Sequence, residues 1–150
     1  MNLTLLKKLI YCHSTPGEED ELMSLMAREW QKQALSCYSL GRYAIIAQRT
    51  PLATKKPHIL FCAHADSPGY IVQAIKNKKA CAIPLGGASF TEDKCKAIIK
   101  TSDEKKYKIT LRKSDDLGES EVVFDIPKNA VVSKGDRIAF APSFKETEDG

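Results

Sequence analysis

Six short β-prone runs after Gly69 constrain the fold more than any other feature of the sequence. Along this stretch the helical spacing of apolar residues disappears, and turn signals separate several of the runs. Short strands at such spacing are typical of a small β-barrel or sandwich. The predicted strands are residues 70–75, 81–84, 96–101, 107–112, 121–126 and 137–141, with turn signals at Lys76-Asn77, Gly86-Gly87, Asp115-Asp116 and Lys134-Gly135-Asp136.

The beginning of the chain has a different character and predicts two helices followed by a hairpin. Residues 3–12 carry apolar side chains at helical spacing. A second helix is predicted to start with Thr15 as cap, Pro16 at the first position and Glu18 reaching back to the cap amide. Its expected buried stripe is Leu22, Leu25, Met26 and Trp30. Residues 35–38 and 43–48 then predict a hairpin around Leu40-Gly41-Arg42.

One further run, residues 58–63, is almost continuously apolar. Such a run is typical of a strand buried on both faces of an α/β sheet, and Cys62 within it is expected to be a small buried hydrophobe. The sequence therefore predicts the N-terminal portion of an α/β catalytic domain, followed by a small all-β, barrel-like domain, with the switch close to Gly69.

The predicted strand ends at His64-Ala65-Asp66, which is the clearest candidate for chemistry. Ligand groups gather at the carboxyl ends of strands in open α/β sheets. Residues two apart on an extended backbone point to the same side, so a metal-bound imidazole of His64 could receive support from Asp66. The alternative is a hydrogen-bonded pair without a metal. His13 is better explained as a helix-capping residue and His58 as a surface or edge residue.

The cysteine content, the apolar runs and the charge distribution limit the kind of protein that this sequence can form. Five cysteines without a Cys-x-x-Cys pair indicate reduced thiols. No apolar run approaches the ~18 residues of a membrane span, and Lys7 and Lys8 interrupt the apolar N-terminus, so we expect a cytoplasmic protein and no membrane partner. Residues 73–115 hold eleven Lys/Arg against five Asp/Glu. Lysines alternating with apolar residues favour a solvated strand face protected from edge pairing over nucleic-acid binding.

Five segments, in this order, carry a resemblance to a known family: LLKKLIYCHSTPGEEDELMSLM, SLGRYAIIAQ, ILFCAHADSPGYIVQAI, IPLGGASF and EVVFDIPKNAVVSKGDRIAFAPSF. The chain resembles the glutamyl/deblocking aminopeptidases, which are dinuclear zinc or cobalt exopeptidases and include the tetrahedral TET enzymes. Two positions depart from the family pattern. Arg42 replaces the usual Asn, and Ser67 stands where an acidic residue is common.

The resemblance implies a role for each residue of the pair. His64 would bind one metal and Asp66 would support that His and catalysis. The family's other ligands, which are a bridging Asp, a Glu-Glu pair, a further Asp and a distal His, would lie beyond the β domain. At most one partial site therefore belongs to this sequence, and Asp149 lacks the context of the bridging Asp. In the complete enzyme two zinc or cobalt ions, ~3.5–4 Å apart, would activate a water while a Glu moves the proton.

The resemblance also implies a domain division and partners. Residues 1–70 would be the N-terminal part of the metallopeptidase domain, residues 71–143 a lid and oligomerisation domain, and residues 144–150 the start of a return segment. Peptides with free N-termini would be the substrates, and a homo-oligomer would form through the β domain. We expect the isolated chain to be inactive. The alternative is a non-catalytic β module that binds peptides or subunits.

Overall fold

The structure is a computed structural model that describes residues 3–42, 44–49, 59–113 and 121–144. Two helices come first, and the strands follow as a two-stranded hairpin and a six-stranded barrel. The helices are α1 (Leu3–Tyr11) and α2 (Asp20–Lys32). The strands are β1 (Ser36–Leu40), β2 (Ala44–Gln48), β3 (Gly69–Lys76), β4 (Lys79–Leu85), β5 (Lys94–Lys100), β6 (Lys106–Lys113), β7 (Val122–Asp125) and β8 (Arg137–Phe140).

The last six strands close into a barrel with the order β3-β4-β7-β6-β5-β8, and β8 pairs with β3 to complete the circle. Every neighbouring pair is antiparallel. Each of the six runs predicted after Gly69 forms one of these strands, so the barrel prediction is confirmed. The predicted turn at Asp115-Asp116 lies outside the described residues.

Alternation along the strands fills the barrel interior. Every second residue points inward, as the period of two requires. The rings of Tyr70 and Phe124 are fully enclosed, and small side chains such as Ala82 and Ala97 leave room for them. Tyr70 meets the ring of Phe140 edge-on, with 5.9 Å between the ring centroids. The core of the protein therefore lies inside the barrel.

The N-terminal helices differ from the prediction at one end. Helix α1 forms as expected, but α2 begins at Asp20, and the side chain of its N-cap residue Glu19 makes no capping hydrogen bond. Residues 15–18 instead form a turn, in which the Glu18 amide donates to the Thr15 carbonyl at 2.8 Å. Gly17 explains the delay because its φ of +87° is incompatible with a helical turn. The capping prediction for Thr15 and Pro16 is therefore wrong.

Helix α2 packs on the predicted hairpin, which β1 and β2 form in antiparallel register. Of the expected apolar stripe only Leu25 is fully buried, and Leu22, Met26 and Trp30 are half-buried. The N-terminal layer is consequently thin compared with the barrel.

Residues 59–63 contradict the prediction of a buried strand. They form no strand, and the side chains of Ile59, Leu60 and Phe61 are 72%, 77% and 90% exposed. Cys62 is exposed as well, so its assignment as a buried hydrophobe is wrong. A strand in the middle of an open sheet needs hydrogen-bonding neighbours on both sides. None of the strands that the structure describes pairs with this run. His58, together with residues 50–57, lies outside the described residues.

The lysine-rich strands also need a correction. Strand β5 has neighbours on both sides, so Lys96 does not protect an edge. Strand β6 pairs with β7 only through Arg112 and Lys113 among the described residues, so its first half has one open side. The edge-protection argument therefore applies to Lys106 and Lys108 alone.

Two expectations from composition can be compared with the structure. All five cysteines are free. Within the described part of the chain, neither helix is long and apolar enough to cross a membrane.

Candidate functional site

His64 and Asp66 lie together, just before the barrel begins. The Nδ1–H of His64 donates to the backbone carbonyl of Asp66 at 2.9 Å, and the Asp66 Oδ1 lies 3.4 Å from the same nitrogen. The side chain of His64 is 83% exposed. Because Nδ1 holds the proton for this bond, the lone pair of Nε2 is available to a ligand. The sequence predicted support from the Asp66 carboxylate, whereas the backbone carbonyl is the closer partner.

This arrangement suits one metal ligand but not a metal site. A zinc site takes three or four protein ligands, and a two-metal site needs more. The residues that the structure describes contain no group of three His, Cys, Asp or Glu side chains that could hold a metal ion. The described donors therefore do not fit the implied pair of zinc or cobalt ions. No catalytic step through a metal follows from these residues alone.

The segment after Asp66 is fixed to the stretch between the two helices. The Ser67 amide donates to the Ser14 carbonyl at 2.7 Å, and the two serine hydroxyls lie 3.2 Å apart. Gly69 passes so close to its neighbours that a Cβ there would lie 2.4 Å from both the Ile138 carbonyl oxygen and the Thr15 methyl carbon. We call these contacts between residues 14–15 and residues 67–69 the seam. Only glycine fits at this crossing.

His13 lies buried behind the seam, with 3% of its surface exposed. Its backbone amide donates to Glu21 Oε2 at 3.2 Å, and its Nε2 lies 3.1 Å from Thr15 Oγ1. Its Nδ1 is buried and has no hydrogen-bond partner among the described residues. Burial, and then the positive charges of Lys106 and Lys100, lower the pKa of His13 to about 4. The imidazole is therefore neutral at pH 7, and the sequence-based assignment of His13 to helix capping is wrong.

Three cationic side chains lie side by side on the outside of the barrel. They bind the residues before α2 and its first turn. Lys106, Lys100 and Arg137 occupy adjacent positions on β6, β5 and β8. We call them the cationic row. Lys106 pairs with Glu21, Lys100 Nζ lies 2.8 Å from Glu18 Oε2, and Arg137 Nε donates to the Pro16 carbonyl at 3.0 Å.

The pKa shifts follow this pairing. The hydrogen bond from Lys100 lowers the pKa of Glu18. For Glu21, burial acts to raise the pKa, but hydrogen bonds from Lys106 and the His13 amide outweigh it and lower the pKa. For Lys100, burial acts to lower the pKa, while hydrogen bonds to Glu104 and Glu18 outweigh it and raise the pKa. These three side chains are thus held in their charged forms at neutral pH.

An open groove adjoins the seam on the other side. Leu9 and Ile10 of α1 form one wall, Phe140 of β8 lies opposite, and Ser67 and Pro68 form part of its lining. Its surface is mostly apolar with a few hydroxyl groups. Such a groove can accept an apolar side chain beside Ser67 and Pro68.

The sequence reading missed the seam and the cationic row. The residue types of Thr15, Pro16 and Glu18 are typical of a helix start, although Gly17 in the supposed first turn argues against one. The alignment of Lys100, Lys106 and Arg137 depends on barrel register, which no local pattern in the sequence reveals.

Comparisons with known proteins give a structural match only. No protein-family model matches the chain, and no curated protein sequence matches it. Among solved structures, the chain is similar to aminopeptidase APDkam598 from the archaeon Desulfurococcus kamchatkensis, with a TM-score of 0.77 and 18% sequence identity. The match covers 97% of this chain and 44% of the archaeal enzyme, so the chain spans less than half of that protein's length. The likeness establishes an aminopeptidase-like fold.

Proposed function

We propose that this chain is the N-terminal part of a metal-dependent aminopeptidase. The observation that supports the proposal most is the structural likeness to an archaeal aminopeptidase along 97% of the chain. The orientation of His64 is consistent with it, because its Nε2 is left for a ligand while Nδ1 is engaged by Asp66. In the proposal His64 is a metal ligand and Asp66 is the residue that holds it and supports catalysis.

The proposal extends to domains and partners. Residues 1–70 belong to the metallopeptidase domain, and residues 71–143 form a lid that also contacts other subunits of a homo-oligomer. The substrates are peptides with free N-termini. Two divalent ions, zinc or cobalt, need donors beyond His64 and Asp66, and these donors come from chain that follows the β domain. The start of the first barrel strand at Gly69 supports this division, because the architecture changes there from the N-terminal layer to the closed barrel.

Reading the coding DNA beyond Gly150 tests the proposal most directly. We expect a continuation, in frame or shifted, that encodes Asp-Asp-Arg and Glu-Glu motifs. A stop followed by no remnant of these motifs would contradict the proposal.

An assay on the purified chain adds a biochemical test. Aminoacyl p-nitroanilides with added zinc or cobalt should show no turnover, because two donor groups cannot hold two catalytic metals. Turnover above that of a His64→Ala variant would show that the chain is complete, and it would refute its assignment as an N-terminal part.

The groove beside the seam favours a second candidate, a non-catalytic module that binds peptides. Its apolar walls from α1 and β8 could hold a peptide side chain without any metal. Fluorescence titration with a mixture of short labelled peptides separates the two candidates. Saturable binding that survives His64→Ala but is lost in Ile10→Ala, which removes an exposed side chain of the groove lining, supports the module.

A further inference from the structure

We infer that Ser14 and Thr15 are positioning residues, which set the place and order of the His64–Asp66 pair through the seam. Their relevance to catalysis rests on the proposed function. Their effect on the position of the pair does not, because it depends only on contacts within the chain.

The first step is that the hydrogen bonds of the described residues give the pair no other tie to a second element. Residues 59–63 are exposed and form no strand, and the hydrogen bond of His64 goes to Asp66 within the same short segment. Among the hydrogen bonds of the described residues, the first that ties this segment to another element is the one from the Ser67 amide to the Ser14 carbonyl. Ser67 follows Asp66 directly, so this bond fixes the end from which the pair projects.

The second step is that the seam closes from two sides at Gly69. The Thr15 methyl and the Ile138 carbonyl approach the Gly69 Cα so closely that a Cβ would lie 2.4 Å from each. Thr15 is completely buried. The backbone that follows the pair is therefore enclosed at Gly69. The loop of residues 13–15 lies on one side of it and the barrel lies on the other.

The third step is that the loop carrying Ser14 and Thr15 is itself anchored to the barrel. The His13 ring lies within hydrogen-bonding distance of Thr15 Oγ1, and the His13 amide donates to Glu21. Glu21 pairs with Lys106 of the cationic row. The pair is thus positioned relative to the barrel through several fixed groups. A group that holds a ligand in a catalytic site needs such fixed support.

Nitrogen-15 NMR on the full 150-residue chain tests the inference. The variants are Ser14→Ala, which removes the hydroxyl contact with Ser67, and Gly69→Ala, which forces the passage open. Ser24→Ala, at an exposed position on α2, is the matched control for Ser14→Ala. Two quantities are measured: the exchange rate of the Ser67 amide and the backbone order parameters of residues 64–66. The amides of Ile99 and Leu111 report on the barrel.

We expect the Ser67 amide to exchange about tenfold faster or more in Gly69→Ala, and by a smaller factor in Ser14→Ala. Order parameters at residues 64–66 should fall from values near ~0.85 towards ~0.6 in Gly69→Ala. The barrel amides should keep their protection, and Ser24→Ala should match the unmodified chain.

Two results would overturn the inference. In the first, the Ser67 amide exchanges faster while residues 64–66 keep their order, which would show that something else positions the pair. In the second, the barrel amides lose protection by the same factor as Ser67, which would show that these residues serve the stability of the fold. Failure of the proposed function gives a different pattern: the seam behaves as expected, and the DNA beyond Gly150 encodes no further ligands.

Discussion

Two stretches of this chain are similarly apolar, but one forms a buried strand and the other is exposed and forms no strand. Strand β7 (Val122–Asp125) is apolar and short, and its Phe124 is fully buried between two neighbouring strands. Residues 59–63 are at least as apolar, yet Phe61 is 90% exposed and no described strand pairs with them. The difference teaches that an apolar run becomes a strand only where other strands complete its hydrogen bonds. The barrel supplies those partners within residues 69–140, and none of the described strands before it pairs with residues 59–63.

Truncating one phenylalanine in each stretch should give the largest difference in stability between them. We expect Phe124→Ala to lower the free energy of unfolding by about 3–5 kcal/mol, because it leaves a cavity inside the barrel. Phe61→Ala should change it by less than about 0.5 kcal/mol, because the ring loses no packing. Urea unfolding monitored by circular dichroism measures both. A loss above about 2 kcal/mol for Phe61→Ala would show that residues 59–63 pack as a strand after all.

The pH dependence of stability tests how firmly the seam joins the segment after residues 59–63 to the barrel, because His13 is buried behind the seam. In the unfolded chain His13 takes up a proton near its usual pKa of 6.5, whereas in the folded protein its pKa is about 4. The unfolded state therefore binds more protons between these values, and stability falls as the pH decreases through this window. From pH 7 to pH 5 the loss from His13 amounts to about 2 kcal/mol.

His13→Gln isolates this contribution, since glutamine stays neutral at both pH values. Glu18 and Glu21 lie near His13, and their pKa values are lowered, so both carboxylates stay charged in the folded protein between pH 7 and pH 5. Urea unfolding at pH 7 and pH 5 should show a stability loss that is about 2 kcal/mol smaller in the variant. An equal loss in both proteins would mean that His13 is protonated in the folded state.

Removing one cation of the cationic row should have a smaller effect. Lys100 is 9% exposed and bridges Glu18 and Glu104. We expect Lys100→Met to cost about 1–2 kcal/mol of stability at pH 7, because it removes charged hydrogen bonds that tie the chain before α2 to the barrel. Lys96→Met, on the outer face of the same strand, is the matched control and should cost less than about 0.5 kcal/mol. An equal loss of stability in both variants would show that the ion pairs of Lys100 do not stabilise the fold.

Thiol labelling compares the two stretches without changing stability. Cys62 is exposed in the unpaired run, whereas Cys81 and Cys95 lie half-buried in barrel strands, where burial raises the pKa of each thiol. We expect Cys62 to react with iodoacetamide first, about tenfold faster than either barrel cysteine. Peptide mass spectrometry at short reaction times identifies the labelled residue, and Cys62→Ser should remove the fast phase. Faster labelling of Cys95 than of Cys62 would contradict the prediction that residues 59–63 are more exposed than the barrel strands.

The barrel could be predicted from the sequence because its information is local. Alternating inward residues, such as Ala97 and Ile99 on β5 or Ile109 and Leu111 on β6, mark each strand, and turn residues separate them. The run at residues 59–63 gave an equally strong local signal and a wrong prediction, because its state depends on partners that local sequence does not specify.

The candidate site was predictable only in part. His64 and Asp66 were visible as a spaced pair, and the structure brings them within hydrogen-bonding distance. The seam was not visible, because Ser14 and Ser67 meet across 53 positions of the sequence and only the fold unites them. Thr15 was misread for a related reason: its residue type is typical of a helix cap, but its position against Gly69 is a tertiary contact.

Amide hydrogen exchange along the whole chain, recorded in a single sample at pH 7, tests the central claim most directly. The claim is that the barrel is folded while the run leading to His64 lacks its strand partners. We predict strong protection for the amides of Ile99 and Leu111, which lie within barrel strands, and exchange at nearly unfolded rates for Leu60 and Phe61. Protection of Leu60 and Phe61 comparable to that of the barrel would contradict the claim.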